Sequence, residues 1–118
     1  MDVLESFVNT STLTRTQLES LRSYVRVVNG ELLLKQAAIR RAQGAVTVGS
    51  YYRTVSQGRT KIRESMVTVL IGIWLGLVKL EDVRRLFDLA GEGFEDLSDE
   101  STERFVQVLQ TILEKVVI

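Results

Sequence analysis

The sequence predicts an all-α protein of five or six helices with a helix-turn-helix at its centre. Three observations carry that expectation. Proline is absent from the 118 residues and alternating runs are scarce, which makes helix the default. Apolar residues recur at helical spacing between Gly, Asn, Ser and Thr punctuation. Seven of the fifteen basic residues fall within 31–66 against only Glu31 and Glu64, so one turn-punctuated stretch is strongly cationic.

The elements follow in order. Residues 3–8 make a short first helix that ends in the polar cluster 9–12. Thr14 reads as an N-cap, and Gln17 three residues on completes a capping box. Leu18, Leu21, Val25 and Val28 give the second helix one apolar stripe, and Asn29-Gly30 stops it. A third helix is expected over about 31–43, turning Leu33, Leu34, Ala37, Ala38 and Ile39 inward, with Gly44 at its C-terminal cap. After the connector 45–49, Ser50 is the expected cap of a helix continuing from Tyr51 through Met66. Tyr52, Val55, Ile62 and Met66 mark its buried face, with the stem of Arg59 alongside.

The run 67–78 is apolar on nearly every side, which predicts burial all round. Gly72 and Gly76, four apart, would admit a neighbouring helix. A short amphipathic helix over 81–89 follows through Val83, Leu86, Phe87 and Ala90, closed by Gly91. An acidic loop over 91–97 holds Phe94. Ser98 is the expected cap of the last helix, with Asp99 and Glu100 in its first turn, where the helix dipole favours anions. Phe105, Leu109, Ile112 and Val116 form its stripe, flanked by Val106, Leu113 and Val117. That stripe could close the same core or pair with a second copy; it is more apolar than a lone surface helix needs, which favours the homodimer.

The length fits a single domain over 1–118, with a helix-turn-helix core at 14–66 and the apolar and C-terminal helices at 67–118. Without Cys there are no disulfides or thiolate metal sites. Without His the commonest general base and metal ligand are missing. Ser, Thr, Asp and Glu are plentiful, but no phosphate-binding glycine loop stands with them, and Gly91-Glu92-Gly93 is only a loop signal. No catalytic residue, metal or cofactor is therefore assigned. Asp2 and Glu5 sit where a secretory signal would need a basic start. The apolar stretch 66–78 falls short of the roughly 20 residues of a membrane span. The expectation is a cytoplasmic protein that is not an enzyme.

Charge is laid out in blocks. Residues 1–30 are neutral, 31–66 carry seven basic against two acidic side chains, and 67–118 carry five basic against ten acidic. A basic stripe on a helical segment is the usual footprint of phosphate-backbone binding. In a helix-turn-helix the second helix offers its leading side chains to base edges. Ser50, Tyr51, Arg53, Thr54 and Gln57 are the expected base contacts, since Gln can pair with adenine edges and Arg with guanine edges. Lys35, Arg40, Arg41, Arg59, Lys61 and Arg63 are the expected phosphate contacts, which position without specifying. Of the neighbouring rings Tyr51 and Tyr52, one belongs to the core.

The run 46–62, VTVGSYYRTVSQGRTKI, resembles the recognition half of the tetrahelical helix-turn-helix group, to which sigma-factor C-terminal regions and small archaeal and bacterial regulators belong. The matching places are Val48, Gly49, Ser50, Tyr52, Arg53, Arg59, Lys61 and Ile62. The chain departs from the pattern at Gly58, where Ala is commoner, and in the turn 43–49, which is longer than the tightest versions. The resemblance implies a sequence-specific regulator of double-stranded DNA. Two other readings stand beside it: a helical protein-interaction or assembly module whose basic stripe meets an acidic partner, and a sequence-neutral nucleic-acid binder. The acidic residues Glu92, Glu95, Asp96, Asp99 and Glu100 fit a solvated side facing away from DNA, or a segment folding over the basic face.

Overall fold

A computed structural model describes residues 3–91 and 99–118. Among the described residues six helices follow one another: α1 (Val3–Val8), α2 (Arg15–Val28), α3 (Leu34–Ile39), α4 (Val48–Trp74), α5 (Leu80–Gly91) and α6 (Asp99–Val116). Among the described residues there is no strand, only an isolated antiparallel bridge between Val78 and Val117. The protein is all-α, as the helical spacing predicts. No described helix is long and apolar enough to cross a membrane. Contacts gather the chain into two compact units, Val8–Glu64 and Met1–Phe7 with Ser65–Ile118.

In the 8–64 unit the capping box forms as expected. Gln17 N–H donates to Thr14 Oγ1 at 3.1 Å, and Thr14 N–H donates to Gln17 Oε1 at 3.0 Å. The helix ends as expected too. Gly30 takes φ +78°, its N–H reaches the Val27 carbonyl, and Glu31 N–H reaches Arg26, closing a Schellman motif. The core holds Leu32, Ala37, Ala38, Tyr51 and Val55, packed by Leu21, Tyr24, Val27, Leu34 and Val46. The inward face of α2 therefore runs through Leu21, Tyr24 and Val27. Val25 and Val28, expected inside, are exposed. The third helix is shorter than 31–43. Leu33 becomes its N-cap residue, with its N–H held by Gln36 Oε1, and both Leu33 and Ile39 face solvent.

The separate helices expected over 51–66 and 67–78 are one continuous helix, α4. Its cap is Thr47, not Ser50: Thr47 Oγ1 accepts from Ser50 N–H at 3.1 Å. Its inward face in this unit runs through Tyr51, Val55 and Gly58. A Cβ on Gly58 would lie 2.8 Å from Leu21 Cδ1 and 3.1 Å from Leu21 Cγ. Glycine here leaves room for the Leu21 side chain of α2. Tyr52, Ile62 and Met66, expected on the buried face, are exposed instead.

In the other unit α5 packs on α6. Val106, Leu109, Ile112 and Val116 of α6 are buried together with Val83 of α5. Of the C-terminal stripe and its flanks, Leu109, Ile112, Val116 and Val106 are buried, Phe105 is half-buried, and Leu113 and Val117 are exposed. Gly76 does not line a helix–helix seam. It takes φ +78° past the end of α4, where its N–H meets the Ile73 carbonyl and Leu77 N–H meets Gly72. Gly72 leaves room for the returning chain: a Cβ there would sit 2.6 Å from Val78 Cγ2. Lys79 N–H then donates to the Val116 carbonyl at 3.0 Å, and Ile118 N–H to Leu77 at 2.8 Å. The run 67–78 is not buried all round. Val67, Leu70, Ile71, Trp74, Leu75 and Leu77 are all exposed, because only the side of α4 near Val69 and Ile73 turns inward. The expected loop with Phe94, the Ser98 cap and the acidic Glu92, Glu95 and Asp96 lie outside the described residues.

Candidate nucleic-acid interface

The division into units sharpens the charge layout. The 8–64 unit holds ten basic and three acidic side chains, a net +7, while the other unit holds five basic and twelve acidic, a net −7. Counting 1–30 as one neutral block hid three cations, because Asp2 and Glu5 fall in the acidic unit. Arg15, Arg22 and Arg26 of α2 join the basic one.

The first half of α4 presents an open face. Thr47 fixes its start, so Ser50 occupies the first turn and is exposed, with Arg53 and Gln57 three and seven residues on along the same side. A shallow depression beside them is lined by Gln17, Arg53, Ser56, Gln57, Thr60 and Lys61, with Glu64 at its far end. Thr54 lies at the margin of this face, half-buried, with its hydroxyl donating to the Ser50 carbonyl at 3.3 Å.

Tyr51 must be withdrawn from the base-contacting set. Its side chain is 0% exposed, and its hydroxyl donates to the Ser20 carbonyl at 3.0 Å and shares a short hydrogen bond with Ser23 Oγ. The ring belongs to the core between α2 and α4, and its polar tip is satisfied there. Tyr52 is the exposed ring of the pair. It meets Tyr24 of α2 edge-on, with centroids 6.1 Å apart.

The expected phosphate contacts divide. Lys35, Arg40, Arg59 and Arg63 are exposed. Arg41 is half-buried, and its Nε donates to the Gly44 carbonyl at 3.1 Å, tying down the connector before α4. Lys61 is structural in this conformation: Nζ donates to the Thr12 carbonyl and to Gln17 Oε1, both at 2.8 Å. Two of its three donors are spent bracing the start of α2 against α4. Arg26 pairs with Glu31 at 3.5 Å, but both partners are exposed, so the pair stabilises little. Arg26, Arg40 and Arg41 also line a cleft of about 220 Å³ that Ser20 and Ser23 share.

The approach to α4 departs from a tight helix-turn-helix. Residues 40–47 separate α3 from α4, where the compact motif uses three or four. Thr14, Gln17 and Gly30 could be read from spacing alone. The added α2 cations could not, because nothing in the sequence marks residue 8 as the start of a unit. No protein-family model matches the chain, and neither a curated protein nor a solved structure does.

Proposed function

We propose that the 8–64 unit binds double-stranded DNA as a sequence-specific regulator, laying the first half of α4 in the major groove. The reading rests on one observation: the unit with net charge +7 is the one whose α4 offers Ser50, Arg53 and Gln57 to solvent along a single side. Arg53 and Gln57 are the candidate base readers. Lys35, Arg40, Arg59 and Arg63 are the candidate phosphate contacts, with Thr54 at the margin. Tyr51 and Lys61 hold the helix in place.

Anisotropy of labelled duplexes across a salt series tests this. Affinity should fall steeply, with log K losing about 0.9 per neutralised phosphate for each unit rise in log salt. Arg53→Ala and Gln57→Ala should flatten preference among selected sequences, whereas Arg40→Ala should weaken all duplexes alike and lower the salt slope. Equal binding by these variants and the parent would refute the groove assignment.

A second reading, a helical protein-interaction module, is favoured by the exposed apolar residues in the second half of α4. Salt-independent or undetectable duplex binding would select it.

A further inference from the structure

The cleft of about 220 Å³ in the 8–64 unit brings cations from two elements to one place. Arg26 comes from α2, and Arg40 and Arg41 from the chain leaving α3. Glu19 is the acidic residue of the lining, and its carboxylate accepts from Gln43 Nε2. The lining thus holds three cations against one anion.

Ser20 also lines the cleft and is 1% exposed. Its Oγ is buried without a hydrogen-bond partner among the described residues. A serine inside a helix ordinarily returns its hydroxyl to the carbonyl one turn back. A hydroxyl denied both water and protein carries a desolvation cost that demands a reason. Its neighbour Ser23 is satisfied, with its hydroxyl donating to the Ser20 carbonyl at 3.0 Å.

Three guanidiniums and one unsatisfied hydroxyl suit a tetrahedral oxyanion, because the arginine fork matches phosphate oxygens in pairs. The rest of the lining, Leu32, Ala37 and Ala42, is apolar, which suits the carbon end of an ester better than bare phosphate. We propose that this cleft binds a small phosphate monoester, its phosphoryl oxygens taken by Arg26, Arg40, Arg41 and the Ser20 hydroxyl. Arg41 keeps its Nε on the Gly44 carbonyl and offers its terminal nitrogens. Arg26 gives up only its exposed pair with Glu31, a small loss.

A backbone phosphate of the duplex is the other source of the same group. It fits less well, since a monoester brings three free oxygens and a charge of about −1.5 to −2, more than a diester offers. The cleft also shares no lining residue with the depression beside Arg53 and Gln57, so the proposal does not rest on DNA binding. Arg40 is a candidate duplex contact as well, so Ser20 and Arg26 carry the test.

The probe is methyl phosphate, titrated into isotope-labelled full-length protein with ionic strength held by sodium chloride. Amide resonances of Ser20, Ala37 and Ala42 should shift together and saturate with a constant of about 1 mM. Ser20→Ala should weaken binding about tenfold, the worth of one hydrogen bond to a charged group, with unchanged helical circular dichroism. Arg26→Gln, at an exposed position, should weaken it at least as much and bind duplex as the parent does. Several results would overturn the proposal. They are shifts that do not saturate by about 20 mM, where a millimolar site is full, shifts centred on Arg53 and Gln57, or parental affinity in either variant. Loss of duplex binding by Arg26→Gln would also overturn it, by assigning the cleft to a backbone phosphate. A parent chain that binds no duplex would leave the methyl phosphate titration unmoved.

Discussion

Gly58→Ala pits two opposed terms against each other at one buried position. On an exposed helix the substitution stabilises by about 1 kcal/mol, because glycine loses more backbone entropy. At Gly58 the new Cβ meets Leu21 Cδ1 at 2.8 Å, Cγ at 3.1 Å and Cδ2 at 3.4 Å. Rotating the isopropyl group cannot clear the clash, since its branching carbon is itself too close. Leu21 must leave its packed rotamer by turning about χ1, or the helices must part by a few tenths of an ångström, and overpacking of this kind costs about 1–3 kcal/mol. The clash wins, and the variant should lose about 1 kcal/mol net, the midpoint of these terms. In a Leu21→Ala background the obstruction is gone, so the same substitution should stabilise by about 1 kcal/mol. The predicted coupling is therefore about 2 kcal/mol, within the range of contacting residues. Urea unfolding of the four proteins, followed by circular dichroism, measures it. A higher midpoint for Gly58→Ala in the parent chain would refute the tight packing of Leu21 against Gly58.

Three further changes have defined outcomes. Tyr51→Phe removes the hydroxyl that donates to the Ser20 carbonyl, and should lower stability by about 1 kcal/mol while leaving duplex affinity unchanged in the anisotropy assay. Thr47→Ala should cost about 1 kcal/mol by removing the cap of α4, whereas Ser50→Ala should alter the urea midpoint little. Gly76→Ala forces an alanine to φ +78° and should cost about 1–2 kcal/mol, visible as an earlier transition in Trp74 fluorescence during denaturation.

Local signals were legible wherever they complete themselves within a few residues. The Thr14 and Gln17 box and the Gly30 stop are of that kind, as are the residues 3–8 of α1. The phase of α4 was not legible, for a physical reason. A stripe drawn from apolar side chains runs through Tyr52, Ile62 and Met66. The true inward face passes through Gly58, whose lack of a side chain is what permits the contact with Leu21. Hydropathy gives such a residue no weight, so the face is drawn rotated and the two tyrosines exchange roles. Residues 67–78 pose a different problem. Their composition demands a cover, but the inward turn of Val69 and Ile73 alone is set by the return of Val78 over Gly72. At the candidate interface, exposure of Arg53 and Gln57 follows from helical spacing. The engagement of Lys61 depends on the Thr12 carbonyl, 49 residues away, which no local pattern reveals.

The distances bridged by Tyr51 and Lys61 also govern the order in which the chain can fold. The hydroxyl of Tyr51 reaches Ser20 across 31 residues, and Lys61 reaches Gln17 across 44. Helices α2 and α3 leave the ribosome before either group exists, so the pair must wait, apolar side out, until the next helix emerges. A truncation ending at residue 47 would strand them permanently, since it discards Tyr51 and Val55, two of the largest fully buried side chains. The nascent chain can therefore complete this core only once residues 51 to 61 have cleared the exit tunnel.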